Sequence, residues 1–163
     1  MDRHFELTDK FIINAFGAKL FQIKCTRKIK YADIGDLGGY IEKENNLSGD
    51  AWVSGNAQVS GDAQVYGDAQ VSGDAWVYGN AQVSGDARVS NDNEHCGFDC
   101  FGSANRHTHS YKTKSGKIEI TCGCFRGSIE EFEKQIKETH RGNEFERQYI
   151  AIVEVIKIKF GLK

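Results

Sequence analysis

The chain reads as a mainly β protein, a stack of very short parallel strands followed by a small α+β domain. Three observations predict this. Aliphatic residues recur every six positions from Ile41 to Val89. From Val53 on, an alanine stands two residues before each of them, so Ala-x-Val alternates with the period of a strand. At Asn91 the composition changes, and the remaining residues carry a hairpin pattern and two amphipathic helical stripes.

Residues 1–40 are a lead-in and cap. The segment "LFQIKCTRKIKYADIGDLGGYIEKENNLS" holds a predicted strand, Phe21–Cys25, and "IGDLGGYIE" bends into the first coil. Such a lead-in should cover the open strand edge of the first coil, which would otherwise invite aggregation. Its basic residues Lys24, Arg27, Lys28 and Lys30 are read as a solvated face rather than a nucleic-acid contact.

Residues 41–90 are the repeat. Ala and Val of each hexad share one face, and the residue between them points outward: Trp52, Gln58, Gln64, Gln70, Trp76, Gln82 and Arg88. Ser/Tyr-Gly-Asp/Asn follows each valine from Val53 to Val83 and supplies a turn with a positive-φ residue. Each hexad is therefore one short strand plus a corner. Such strands are stable only when coils stack, each pairing with the strand above and below. A helix is excluded by a glycine every sixth residue, and a hairpin meander would need longer strands.

The spacing in "VSGNAQVSGDAQ" resembles hexapeptide-repeat proteins over about residues 34–90. That resemblance implies a left-handed parallel β-helix with three hexads per triangular coil. Residues i and i+18 then stack, giving about three coils, roughly 14 Å tall at ~4.8 Å per strand. Trp52, Gln70 and Arg88 would share one face, Gln58 and Trp76 the second, Gln64 and Gln82 the third. We read this Gln/Trp set as an interface around a threefold axis, hence a homotrimer; a solvated sheet face is the alternative. The corner acids Asp50, Asp68 and Asp86 are read as caps of local backbone N–H groups rather than calcium ligands. Many hexapeptide-repeat proteins are acyltransferases, which implies a catalytic histidine on or beside a coil. Residues 48–90 hold no histidine, and His95 is the nearest after them. The repeat therefore reads as a trimerising spacer.

Residues 91–163 are the α+β domain, predicted as ββαα. "HTHSYKTKSGKIEITCGCF" reads as a hairpin, His107–Lys114 and Lys117–Cys122. "GSIEEFEKQIKETH" reads as a helix with a Ser128/Glu131 capping box and an Ile129, Phe132, Ile136 stripe. A second helix starts at Asn143, with Phe145, Tyr149, Ile152, Val153, Ile156 and Phe160 on one face and Gly161 after its end. "VIKIKF" alone also suits a strand. The lead-in "GDLGGYIE" and the tail motifs "FGSANRHT", "CGCFRGSIEEF" and "ETHRGNEFERQY" resemble a group of phage- and prophage-encoded hexapeptide-repeat proteins. Within Ala104, Asn105, Arg106 and His107 the first motif departs from the usual Gly-Ser-Arg-Asn-Asp, with Ala104 and Arg106 standing at its Arg and Asp positions. The resemblance implies fold and context and brings no activity with it.

Net charge is -2, which gives no global case for nucleic-acid or membrane attraction. No apolar run approaches the ~20 residues of a membrane span. The opening "MDRHFELTDKFIINAF" lacks the basic-then-apolar order of a signal peptide, so a cytoplasmic location is expected, the host cytoplasm if the protein is viral. Five cysteines in that compartment are thiols or metal ligands before they are disulfides.

Three site readings follow. His107, His109, Cys122 and Cys124 alternate in pairs, and a hairpin bringing the pairs together would make a Cys₂His₂ zinc site; the competing reading is small buried cysteines and no cofactor. Cys124 with His107 would suit nucleophilic catalysis, but no third member is found. The preferred reading is a ligand site built from Ser103, Asn105, Arg106, His107, His109, Tyr111, Cys124 and Arg126 beside the N-terminus of the capped helix, where orphan N–H groups and two arginines favour an anion. Phe101, Tyr111 and Phe125 are placed to stack a base. The expectation is a non-catalytic homotrimer whose tail domain binds or sequesters a phosphate-bearing ligand, such as a nucleotide immune signal of the host's defence. Inhibition of a host defence protein by a structural scaffold is the first alternative, and an acyltransferase-like enzyme the second.

Overall fold

A strand of two residues has too few hydrogen bonds to stand alone, so the repeat is decided by what stacks on it. In the computed structural model, which describes residues 3–162, hexads eighteen residues apart pair in parallel. The chain divides into two compact units, Met1–Asp92 and Asn93–Lys163.

The first unit opens with β1 (Phe5–Ile13) and β2 (Lys19–Cys25), an antiparallel hairpin, and β2 pairs with β3 (Leu37–Ile41). Seven two-residue strands follow: β4 (Trp52–Val53), β5 (Gln58–Val59), β6 (Gln64–Val65), β7 (Gln70–Val71), β8 (Trp76–Val77), β9 (Gln82–Val83) and β10 (Arg88–Val89). They form three parallel faces: β3-β5-β8, β4-β7-β10 and β6-β9. The core is the column of repeat alanines and valines, all buried. Removing each Ala-x-Val pair from water is the main stabilising term.

The corners explain the recurrent glycine of each hexad. Gly49 has φ +68, and a Cβ there would stand 2.9 Å from the Gly67 nitrogen of the next coil. Gly39 meets the same limit where the lead-in enters the stack: its Cβ would lie 2.7 Å from the Ala57 carbonyl oxygen. The first coil is closed by Asn46, wholly buried. Its amide donates to the carbonyls of Gly61 (3.1 Å) and Ala63 (2.8 Å) and accepts from the Lys43 N–H (2.8 Å).

The strand predicted at Phe21–Cys25 is found, as the C-terminal part of β2. Strand β1 is an addition to the predicted elements; its Asp9-Lys10 centre breaks the alternation, and the pairing register shifts between Leu7 and Phe11. The lead-in bases Lys24, Arg27, Lys28 and Lys30 are all exposed, as a solvated face requires, and three of them make surface ion pairs. Arg27 pairs with Asp50 at 3.0 Å, Lys28 with Asp33 at 2.7 Å, and Lys24 with Glu6 at 3.6 Å. The stacked outer positions fall as predicted, Trp52 on Gln70 on Arg88, Gln58 on Trp76, Gln64 on Gln82. Trp52, however, is buried beneath His4, and Trp76 lies edge-on to Phe16 at the β1–β2 turn. Neither indole stands as an open rung for a neighbouring chain, because the chain's own N-terminal segment occupies that position. Gln64 is exposed, and Gln58, Gln70 and Gln82 are half-buried.

The second unit holds a four-stranded antiparallel sheet in the order β11 (His95–Phe101), β12 (Arg106–Lys112), β13 (Ile118–Cys122), β14 (Phe125–Ser128). Two helices follow, α1 (Ile129–His140) and α2 (Glu144–Phe160). The expected ββαα order is therefore ββββαα: β11 and β14 flank the predicted hairpin. The Ser128/Glu131 capping box is formed, and α2 runs through "VIKIKF" to end at Gly161 in the left-handed region. Ile120, Cys122, Ile129, Phe132, Ile136, Tyr149, Ile152, Val153 and Ile156 make its core.

Candidate functional site

Strand register decides which predicted site residues meet. Thr108 stands opposite Cys122, and His109 opposite Thr121. Side chains directly opposite each other share a face, so Cys122 lies on the face of Thr108, away from His107 and His109. The Thr108 hydroxyl donates to the Cys122 sulfur at 3.3 Å, and that thiol lies 3.8 Å from the Tyr149 hydroxyl, on the helix side. The zinc set of His107, His109, Cys122 and Cys124 is thus not assembled: a one-residue offset in pairing separates its halves. Among the described residues no group of three or more His, Cys, Asp or Glu side chains is placed to hold a metal. Cys124 and His107 are not brought together either: Cys124 borders the cavity on the helix side, whereas His107 lies on the opposite face, its Nδ1 paired with Asp99 at 2.6 Å.

The two sheet faces carry different chemistry. One bears a row of imidazoles: His95 Nδ1 and His109 Nε2 are 3.0 Å apart, and the His107 ring lies 5.7 Å from that of His109. Gly97 makes room, since a Cβ there would be 2.7 Å from His107 Cε1. Tyr111 continues the row and donates to Glu119 at 3.1 Å. His109 and Tyr111 are fully buried.

The helix face carries a cavity of about 420 Å³, within the size range of small-molecule sites. Phe132, Ile136, Cys122 and Tyr149 form its apolar lining, with the rings of Phe125 and His140 beside them. Gln135, Thr139, Arg106 and Cys124 supply the polar groups; Arg126 also borders the cavity, but its guanidinium is turned to Glu119 on the imidazole face. His140 stacks on Tyr149 with ring centres 5.5 Å apart. Burial, with Cys122 alongside, pushes the Tyr149 phenol up to about 12, so it stays a neutral hydroxyl that donates to the Phe101 carbonyl at 3.3 Å.

The two arginines differ. Arg126 donates to Glu119 at 3.0 Å. Arg106 has no carboxylate partner among the described residues. Its side chain passes over the turn at Gly123, φ +60, where a Cβ would lie 2.9 Å from the Arg106 Cδ and Nη1. The turn itself takes a backbone conformation that only glycine adopts easily.

Of the predicted ligand residues, Arg106, Cys124 and Arg126 line this cavity together. His107, His109 and Tyr111 lie on the other face, and Ser103 and Asn105 sit in the β11–β12 turn outside the lining. The lining also includes residues outside the predicted set: Gln135, Ile136, Thr139, His140 and Tyr149. The four-residue spacing of Gln135/Thr139 and Ile136/His140 on α1 marks two adjacent rows of one helix face, the signal that would have found them.

The fold of the first unit defines a β-solenoid repeat protein. The family profile described as YdcK Beta solenoid repeat matches residues 63–79 and 81–92, so this chain is similar to that repeat over the later coils. A search of the curated proteins finds no match. No helix is long and apolar enough to cross a membrane among the described residues.

Proposed function

We propose that the protein is a non-catalytic binding protein. In this reading the solenoid is a left-handed, homotrimeric, rigid support. The α+β unit captures an anionic small molecule bearing a flat ring, of which a nucleotide is the natural example. The observation that carries the reading is Arg106, a guanidinium without a carboxylate partner among the described residues, beside a cavity lined by Phe125, Phe132, His140 and Tyr149. A charged hydrogen bond to a bound anion contributes about twice what a neutral one does, and the rings supply a stacking surface.

The resemblance of the lead-in and tail motifs to phage and prophage proteins supplies the context: a viral protein in the host cytoplasm that sequesters a nucleotide signal of host defence. That step rests on likeness, and the chemistry of the cavity rests on its residues. The first experiment is native mass spectrometry of freshly purified protein. Three chains carrying a co-purified nucleotide-sized mass support the reading. A bare monomer that also binds no nucleotide in titration overturns it.

A second reading has its own observation. Phe16 and Tyr78 are both more than half exposed and 5.5 Å apart, beside a groove of about 260 Å³ in the first unit. A scaffold that inhibits a host protein would use such a patch. Loss of a captured protein on Phe16→Ser substitution, with nucleotide binding absent, would favour it. An acyltransferase-like enzyme would need a reactive histidine on or beside a coil; residues 48–90 contain none, and His4, beside the first coil, is buried with its Nε2 bonded to the Ala51 carbonyl.

A further inference from the structure

The charges around the cavity are unequal, and this bears on which anion fits. Arg106 and Arg126 are its arginines, and no carboxylate and no lysine line it among the described residues. The guanidinium of Arg126 is already matched by Glu119, which also accepts the Tyr111 hydroxyl. Arg106 therefore supplies the one full positive charge left to a guest. Along α1, the lining residues Gln135, Ile136, Thr139 and His140 belong to the C-terminal half of the helix. That end carries the negative pole of the helix dipole, which repels added negative charge. The positive pole, at Ser128 and Ile129, is occupied by the Glu131 carboxylate of the capping box, whose Oε2 accepts from the Ser128 N–H at 2.8 Å.

We infer that the cavity selects a flat aromatic molecule carrying a single negative charge, a phosphodiester or a carboxylate, over phosphomonoesters and polyphosphates. The inference rests on the binding reading above and narrows its ligand class. Arg106 forms the two-pronged contact with the anion, the bare backbone of Gly123 leaves room for its side chain, and Phe125 and His140 flank the ring. A second negative charge would meet the helix C-terminus with only Arg126, already paired with Glu119, to offset it.

The test is calorimetric titration of the full chain with adenosine, cyclic AMP, AMP, ATP and indole-3-carboxylate. The four adenosine compounds share one ring system and differ in charge. Cyclic AMP should bind about tenfold or more tighter than adenosine and no weaker than AMP or ATP. Arg106→Gln should bring cyclic AMP down to the level of adenosine, a loss of about tenfold to a hundredfold, and leave adenosine unchanged. Lys134→Gln, on the exposed face of α1, should change neither. Tight indole-3-carboxylate with weak cyclic AMP would support the same charge rule with a carboxylate as its source. Affinity that climbs with charge from cyclic AMP to ATP overturns the single-charge inference and leaves the binding reading standing. Equal binding of adenosine and cyclic AMP also overturns it. If none of the five binds at millimolar concentration, the binding reading itself falls.

Discussion

His4 shows how one side chain ties the N-terminal segment to the solenoid. Its Nε2 lies 2.9 Å from the Ala51 carbonyl, which requires the proton on that nitrogen. The ring is buried against Trp52 and Phe5, and burial lowers its pKa below 6.5. The sign follows by linkage. Below 6.5 the unfolded chain takes up a proton that the folded chain resists, so folding stability falls as pH drops from there toward the lowered folded value. Urea midpoints measured at about pH 7.5 and about pH 5 should fall on acidification, and by less in His4→Asn. An equal fall in both proteins would remove His4 from the account. Asn46→Ala is the sharper stability test. It strands the Lys43 N–H and the Ala63 carbonyl in the interior and should cost about 1–3 kcal/mol in the same assay. A change below about 0.5 kcal/mol would mean that water replaces the amide.

The elements differ in how far local sequence decides them, and the repeat is the extreme case. Every coil restates the same instruction, so the i, i+18 pairing is legible in the spacing alone, down to Trp52 over Gln70 and Gln58 over Trp76. Register here is a property of spacing, which makes a length test. Deleting residues 60–77, one full eighteen-residue turn, joins equivalent positions and should leave a folded protein with a lower melting temperature. Deleting three residues, 60–62, breaks the six-residue spacing, puts later alanines and valines out of phase with the coils they pair with, and should unfold the stack, read by circular dichroism. Equal tolerance of both deletions would contradict the pairing. The helices are legible for another reason: capping box and stripe state the same boundary twice. Strands β11 and β14 are not. "HCGFDCF" has a glycine near its centre and no clean alternation, and "FRGS" is too short to show a period. Both are strands because β12 and β13 offer them edges. The cavity is half legible for the same reason. Arg106, Cys124 and Arg126 are evident from their loops, whereas Tyr149 and His140 reach it only through helix packing. The placement of His107 and His109 at the ligand site fails because a one-residue register shift reverses the face of every side chain.

At the scale of the whole molecule the question is subunit number, because the solenoid's own faces set what a neighbour can touch. The repeat pattern points to Trp52 and Trp76 as interface rungs, but Trp52 is buried under His4 and Trp76 is flanked by Phe16. What the repeat still offers a second copy is the Gln64 face, polar and repeated by Gln82 one coil later. An interface of glutamine ladders lacks the desolvated aromatic anchors that dominate tight association. A trimer built on it should therefore be concentration-dependent, while one built on Phe16 and Tyr78 should persist on dilution. Sedimentation velocity over a hundredfold dilution series separates these, with Gln64→Lys and Phe16→Ser as the two probes. If Gln64→Lys dissociates the trimer and Phe16→Ser does not, the Gln face is the contact, since like charges brought together around a symmetry axis repel. If only Phe16→Ser dissociates it, the contact is the apolar patch, and the scaffold reading loses the surface it needs for a foreign partner. If the wild-type chain sediments as a monomer throughout, the solenoid is a spacer and not an assembly device, and capture of a ligand must be the work of a single α+β unit.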